Sequence, residues 1–245
     1  MKLINILAAA LIGAKLLSAD PVMAQQPAET AKQEQPGSRI TLAERTDFLS
    51  RFNFRGYRYS DDYVIQLNPS AAYGNTSLIG FMNYDSATGK FNEIDATLDF
   101  TRQFGHLSMS AGYTYLHFPN TESKDSQEVY ASASLLDNML NPTFAVFHDF
   151  ADVRGDYIPF SISHTFETSK QPITVAGKLV YNNHFLRQGS GLSNWEASVA
   201  MPVSLSPKTT VTSSLNYTHA LDRADFEDFV YFGVSVNGSV EHGKD

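Results

Sequence analysis

The sequence lacks cysteine altogether, holds a single tryptophan and is poor in charge for its 245 residues. Without cysteine, a disulfide-stapled scaffold, a cysteine-ligated zinc site and a thiol nucleophile are all excluded. Charged residues make up 18% of the chain, below the roughly 25% of an average soluble domain. The composition therefore points away from an ordinary soluble protein, and the missing cysteine suits export into an oxidising compartment.

Basic residues are also scarce. The chain has 18 Lys and Arg against 26 Asp and Glu, a formal net charge of −8, and the basic residues form no block. Nucleic-acid binding requires a positive footprint, so nucleic acid is not expected as a partner. The sequence contains no G-x-S-x-G, H-E-x-x-H or phosphate-binding loop, so it predicts neither a metal nor another cofactor.

The longest apolar run lies at the N-terminus. Residues Ile4 to Leu17 are mostly apolar, Lys2 precedes them, and Val22-Met23-Ala24 supplies the modest side chains that a signal peptidase reads. We predict a signal peptide over residues 1–24, cleaved after Ala24. An uncleaved anchor is the alternative, but the run is shorter than the ~20 apolar residues of a spanning helix. The polar residues 25–45 are predicted to form a flexible periplasmic segment.

From residue 46 to residue 240, segments of about ten residues alternate apolar and polar side chains between turn residues. Such alternation indicates strands with two unlike faces, and repeated segments of this length are typical of outer-membrane barrels. The pattern predicts an all-β fold, an antiparallel transmembrane β-barrel of about 12 strands over residues 46–240, with a C-terminal tail at 241–245. The predicted strands are 46–58, 63–74, 76–85, 91–103, 106–118, 126–136, 142–150, 155–167, 172–183, 192–204, 208–219 and 228–240.

A soluble β-sandwich would also alternate. Aromatic residues at the ends of the apolar faces favour a membrane barrel, because they suit the two membrane interfaces. These residues are Tyr73, Tyr84, Tyr115, Tyr181, Trp195 and Tyr217. A barrel of this kind is exported through the inner membrane and placed in the outer membrane, with outer-membrane lipid and the barrel assembly machinery as expected partners.

The alternation assigns each strand residue to the lipid or to the lumen. On the first predicted strand, Phe48, Phe52 and Phe54 are expected to face lipid. On later strands the charged side chains share the lumen phase. The predicted pore-lining residues are Arg51, Asn53, Arg55, Glu93, Asp95, Asp99, Glu128, Lys178 and Glu196.

Two interpretations of these lumen charges remain open. In one, salt bridges fill a narrow barrel, with Arg51 and Arg55 pairing acids across the interior. In the other, the charges line a water-filled pore that selects ions or solutes. Twelve strands lie between the filled barrels of eight and the wide channels of sixteen. The Ser, Thr and Gly at interior positions favour a narrow porin-like channel for passive diffusion of small hydrophilic solutes or ions.

Two further functions compete with the channel. A pore-less structural or adhesion barrel would act through its loops. An outer-membrane lipid-modifying enzyme would need a nucleophile beside its base. The most suggestive cluster is Ser161, Ser163 and His164, but alternation directs His164 to lipid and both serines inward, so they cannot form a dyad. We therefore expect no enzyme.

Several stretches resemble the TorF-type family of outer-membrane porins. They are FRGYRYSDD at 54–62, AAYGN at 71–75, NEIDATLDF at 92–100, FGHLSMSAGYTYLHFPN at 104–120 and EVYA at 128–131. The resemblance covers most of residues 46–165 and implies an outer-membrane pore. The residues at its motif positions are Arg55, Gly56, Glu93, Asp95 and Glu128. The C-terminus departs from the usual aromatic last residue, so Phe232 or Val240 would supply the assembly signal internally.

Overall fold

The computed structural model describes residues 39–242. The strands in this range are β1 (Ile40–Leu49), β2 (Phe52–Phe54), β3 (Tyr57–Ser60), β4 (Val64–Tyr73), β5 (Thr76–Asp85), β6 (Lys90–Phe104), β7 (Leu107–His117), β8 (Ser126–Leu135), β9 (Thr143–Asp149), β10 (Asp156–Phe166), β11 (Ile173–Asn183), β12 (Ser190–Ser206), β13 (Thr209–Ala220) and β14 (Phe229–His242). Between residues 39 and 242, no helix is long and apolar enough to cross a membrane.

Twelve of these strands form one closed antiparallel barrel. Strands β4 to β14 pair in sequence order, and β1 closes the ring between β4 and β14. At the closing seam Ile40 is opposite His242, and Leu49 is opposite Gly233. Closure leaves no unpaired strand edge, which is what a sheet in lipid requires. The predicted fold class is confirmed.

The barrel is apolar outside and mostly polar inside, because successive strand residues point to opposite faces. On β6, Leu98 is 55% exposed on the outer surface while its neighbour Thr97 is buried inside. The same alternation places Phe232 outside and Ser235 inside on β14. The outer surface therefore matches a hydrocarbon environment, with aromatic side chains near both rims.

The two rims of the barrel differ. The short links 74–75, 105–106 and 207–208 lie at the rim that also holds both ends of the described chain. Gly74 and Gly105 have positive φ angles in two of these tight turns, a conformation that glycine adopts at little cost. The opposite rim carries the longer links 50–63, 118–125 and 221–228. Short turns on the periplasmic side and longer loops outside are the usual arrangement.

Eleven of the predicted strands match the structure to within two residues at each end. The first prediction, 46–58, is wrong. The barrel strand begins at Ile40 and ends at Leu49, and residues 52–60 form a separate hairpin. Residues 40–45 of the predicted flexible segment thus belong to β1, and β14 extends to His242. The predicted signal peptide lies outside the described residues.

Candidate functional site

The β2–β3 hairpin lies inside the barrel rather than in its wall. Its two strands pair with each other and form a sheet separate from the barrel. Arg55 and Gly56 form the turn, with φ angles of 54° and 88°. A Cβ atom placed on Gly56 would lie only 2.6 Å from Cγ of Asn194, so the tip is pressed against the inner face of β12. The link 50–63 therefore folds from the outer rim into the lumen.

The predictions that Phe52 and Phe54 face lipid are wrong. Phe52 is 2% exposed and Phe54 is 9% exposed. Both belong to a buried cluster in the outer part of the lumen, which comprises Leu49, Phe52, Phe54, Val64, Phe81, Leu116, Tyr130, Ala145, Phe147, Tyr157, Val180 and Phe185. The hairpin has the same two-residue period as a barrel strand, but its apolar face meets aromatic side chains in the lumen.

The Arg55 side chain connects the hairpin to the opposite wall. Its Nη1 and Nη2 atoms donate to the two carboxylate oxygens of Glu128, at 2.5 and 2.7 Å. The Arg55 side chain is 11% exposed and that of Glu128 is 2% exposed. Two parallel bonds of this kind form the strongest and most directional arginine–carboxylate geometry. Removing one member of such a buried pair costs about 3–5 kcal/mol.

Four aromatic rings surround the same guanidinium group. The Arg55 Cζ atom is 5.1 Å from the ring centroid of Phe54, 4.7 Å from that of Phe147, and 4.8 Å from those of Tyr157 and Phe185. Cations within about 6 Å of a ring centroid are attracted by the ring quadrupole. We refer to these four rings together with Glu128 as the Arg55 cage.

A second network fixes the base of the hairpin tip. The Nδ2 atom of Asn53 lies 3.3 Å from the Tyr231 hydroxyl and 3.4 Å from Oε2 of Glu196. The Oδ1 atom of Asn53 accepts a hydrogen bond from the Gly56 amide. Glu196 also forms an ion pair with Lys178 at 3.1 Å. The structure thus brings Asn53, Lys178 and Glu196 together on one side of the hairpin.

The remaining predicted acids of β6 also point inward. Asp99 accepts hydrogen bonds from the Tyr130 hydroxyl and, at 2.8 Å, from Thr101. Glu93 and Asp95 lie two residues apart on the same face. Among residues 39–242, Oε1 of Glu93 and Oδ1 of Asp95 are buried without a hydrogen-bond donor. Glu93 also lies close enough to Arg55 to interact with its charge.

Arg51 lies in a different place from the predicted one. It follows β1 at the outer rim, where Nη1 donates to the Val230 carbonyl at 3.0 Å and Nε lies 3.7 Å from Asp61. Its side chain remains 35% exposed. Arg51 thus takes no part in the interior salt bridging that one of the two interpretations offered, because the chain leaves the barrel wall after β1.

Sequence reasoning missed an ion pair and several inward aromatics. Arg45 donates to Asp47 at 2.8 Å inside the barrel, in a stretch interpreted largely as flexible. The alternation of β1 extends back to Ile40 and would have revealed the pair. Phe147 and Tyr157 were missed because aromatics were assigned to membrane interfaces. Phe147 lies on the same face of its strand as the inward-facing Asp149, and this shared face would have predicted an inward ring.

The suggestive Ser–His cluster has the geometry that alternation predicts. Ser163 is buried on the inner face, whereas His164 is on the outer face with Nδ1 2.7 Å from the Met139 carbonyl. The two side chains therefore point to opposite sides of β10. Residues 39–242 contain no group of three or more His, Asp or Glu side chains arranged to hold a metal ion.

Comparison with known proteins gives a structural match and no sequence match. Neither a protein-family model nor a curated protein matches this chain. The KdgM porin in complex with disordered oligogalacturonate has a TM-score of 0.56 at 12% identity, over 82% of this chain and 99% of that chain. The NanC porin has a TM-score of 0.54 at 12% identity, over 80% and 98%. At such identities the likeness shows the fold.

The fold is therefore that of a porin-type barrel. A closed antiparallel barrel of twelve strands with an apolar outer surface is built for lipid on one side and for polar contacts on the other. These features, together with the structural matches, make the chain a bacterial outer-membrane protein.

Proposed function

We propose that the protein is a narrow outer-membrane channel for passive diffusion of small hydrophilic solutes or ions. One observation carries this proposal: the barrel encloses a lumen lined with serine, threonine, asparagine and charged side chains. Such a lining costs free energy in a dry core but suits water and polar solutes. Seven of the nine predicted pore-lining residues carry ionisable side chains that lie inside the barrel. They are Arg55 on the hairpin and, on the barrel wall, Glu93, Asp95, Asp99, Glu128, Lys178 and Glu196.

The lumen charge favours cations or neutral solutes. Its basic side chains are Arg45, Arg55 and Lys178, with Arg187 equally buried at the outer rim, and each of the four forms an ion pair with an acid. The inward-facing acids are Asp47, Asp85, Glu93, Asp95, Asp99, Glu128, Asp149 and Glu196. An acidic lining repels anions by the same rules that govern charged rings in pores. The acidic sugar chain found with the KdgM porin is therefore a poor candidate solute here.

Kinship with the TorF-type porins is part of the proposal. The motif residues Arg55 and Gly56 lie on the hairpin tip, Glu93 and Asp95 on β6, and Glu128 on β8. Arg55 contacts Glu128 directly and lies near Glu93. Segments that are separate in the sequence thus meet at the Arg55 cage, which supports reading them as one signature. Outer-membrane lipid and the barrel assembly machinery are the proposed partners.

A second candidate is a pore-less barrel that acts through its loops. The buried aromatic cluster around the hairpin favours it, because this cluster occupies the outer part of the lumen. In the channel proposal, the hairpin must move or leave a narrow path beside it.

Conductance in a planar bilayer under a KCl gradient tests the channel. We expect discrete steps and a reversal potential of the sign that a cation-preferring pore gives. The double variant Glu93→Gln, Asp95→Asn should move the reversal potential towards zero. Glu44→Gln is the matched control, since Glu44 is an exposed acid on the outward phase of β1, and it should leave the potential unchanged.

Silence from protein shown to be folded by its heat-modifiable gel mobility would contradict the channel and favour the loop-acting barrel. Conductance with anion preference would keep the pore and overturn the charge argument.

A further inference from the structure

The Arg55 cage is assembled mostly from the barrel and not from the hairpin. Glu128 belongs to β8, Phe147 to β9 and Tyr157 to β10, while Phe185 lies in the link between β11 and β12. Phe54 alone among the five cage members belongs to the hairpin. If the hairpin moved outward, Glu128, Phe147 and Tyr157 would remain on the barrel wall, and Phe185 would remain on the link after β11. The wall therefore carries a preformed site for a planar cation.

Arg55, which occupies this site, lies on a hairpin that is not paired with the barrel strands. The hairpin shares no strand pairing with the barrel, so its departure breaks side-chain contacts and no ladder of the barrel wall. Arg55 also occupies a left-handed backbone conformation, with a φ angle of 54°. That conformation costs a residue with a Cβ about 1–2 kcal/mol, and it belongs to the two-residue turn of the hairpin. Such an outlier is a reason to look for function.

The chemistry of the cage selects its ligand. A carboxylate that accepts two parallel N–H bonds matches a guanidinium group better than it matches the compact charge of an ammonium group. The flanking rings add attraction for a flat cation. The carboxyl group of Glu93 also lies near Arg55. A free guanidinium compound can thus make the contacts that Arg55 makes now.

We propose that Glu128, Phe147, Tyr157 and Phe185 form a binding site for solutes that bear a guanidinium group, and that Arg55 occupies it as a competitor belonging to the protein itself. A solute that enters the cage displaces Arg55 and so removes the contact that ties the hairpin to β8, which weakens its hold in the lumen and leaves the Asn53 network as the remaining polar anchor. This inference rests on the proposed channel, since it names the class of solute that the channel recognises and the step that opens it.

Calorimetric titration of the full-length protein in detergent with methylguanidinium tests the site. Arg55→Ala should bind it saturably and at least about tenfold more tightly than the unmodified protein, because a cage that is free about a tenth of the time weakens apparent affinity by that factor. Adding Glu128→Gln to Arg55→Ala should abolish the binding. Arg45→Ala is the matched control, because Arg45 is an inward arginine paired with Asp47 and is not among the arginines placed over an aromatic ring.

Equal affinity of Arg55→Ala and Arg45→Ala for methylguanidinium would overturn the proposal. So would binding that survives Glu128→Gln. If Arg55→Ala does not fold, Arg55→Gln keeps most of the side-chain volume and serves in its place. Tighter binding of tetramethylammonium than of methylguanidinium would also count against the proposal, since it would show a cage for alkylammonium ions that does not use the carboxylate fork.

A conductance measurement separates this inference from the channel proposal. Methylguanidinium, compared with sodium at equal ionic strength, should increase the conductance of the unmodified protein severalfold, and Phe147→Leu should reduce that increase. Binding to Arg55→Ala in a protein that never conducts would refute the channel and leave the cage standing. Conductance without any methylguanidinium binding would refute the cage and leave the channel standing.

Discussion

At the scale of single residues, neighbours on β6 meet different surroundings. Leu98 points outward and is 55% exposed. Thr97 points inward, where its hydroxyl forms a 2.9 Å hydrogen bond with that of Thr114. Asp95 and Asp99 flank Thr97 on the same face. One step along the chain therefore separates a position suited to lipid from one suited to a cation.

Arginine placed at these two positions should have unequal effects. Leu98→Arg should impair assembly, because an arginine on the lipid face costs about 2–4 kcal/mol near the midplane. Thr97→Arg should cost less, because the new guanidinium group lies between two carboxylates. Refolding yield into lipid vesicles, read from heat-modifiable gel mobility, compares the two variants. Equal yields would contradict the assignment of faces.

The sequence allowed prediction of which way a side chain points, but not of which side chains meet. Glu128 and Glu196 were expected in the lumen because a strand's period of two fixes the face of each residue. Lys178 lies directly opposite Glu196 on the neighbouring strand, so that pair follows from the register of β11 and β12. Arg55 precedes Glu128 by 73 residues and meets it only because the hairpin folds into the lumen. The pore-lining role of these residues stays a prediction.

At the scale of elements, the hairpin is the part that differs most from the sequence-based expectation. Two-residue hairpin turns usually contain Asn-Gly or Asp-Gly, whereas this turn is Arg55-Gly56. Without the usual signal, residues 46–58 look like one continuous strand. The other strands were predicted to within two residues because turn residues and alternation agree at their ends.

A disulfide between the hairpin tip and the wall should hold the lumen in its observed state. A Cβ on Gly56 lies 2.6 Å from Cγ of Asn194, one bond from the Asn194 Cβ, so the two Cβ atoms fall within the roughly 4 Å of a disulfide. The Gly56→Cys, Asn194→Cys protein should conduct less when oxidised than after reduction. The chain has no other cysteine. The two single variants are controls, and a reductant-insensitive conductance would argue against a moving hairpin.

The outer loops are held by aspartates at their ends. The Asp228 carboxylate accepts hydrogen bonds from the Ala220 amide at 2.8 Å and from Arg223 at 2.9 Å. These bonds join the end of the link 221–228 to the end of β13 and to a residue within the link. They also hold the pKa of Asp228 below its ordinary value of 3.8, with the Ala220 amide as the main cause.

The order of this loop should therefore depend on pH in the acid range. A lowered pKa means that the stabilising contribution is present above pH 3.8 and is lost as the pH falls through the lower pKa of the folded protein. Hydrogen-exchange protection of the Ala220 amide should fall in that window. Asp228→Asn should show reduced protection already at neutral pH, whereas Asp225→Asn in the same link should not. Unchanged protection in Asp228→Asn would exclude this role of the carboxylate.

At the scale of the whole molecule, apolar and charged side chains lie on opposite faces of the barrel wall. Apolar side chains cover the outer wall, acids collect inside, and the buried aromatic cluster lies towards the rim with the longer loops. The overall class was predictable, because low charge, absent cysteine and repeated alternation all agree. The inner aromatic cluster was not predicted, because the hairpin that it packs against was read as part of a wall strand, although the phase that Phe147 shares with Asp149 indicates an inward ring.

The seam between β1 and β14 sets an order of events for a newly made chain. The first barrel strand, β1, has the last strand, β14, as one of its two neighbours, through pairs such as Ile40 with His242. The hairpin also depends on β14, since Asn53 forms a hydrogen bond with Tyr231 and Arg51 forms one with the Val230 carbonyl. Until β14 is in place, one edge of the sheet stays open and the hairpin has no complete chamber to enter. Inserting the hairpin and sealing the ring are thus late steps, coupled in time through the same final strand.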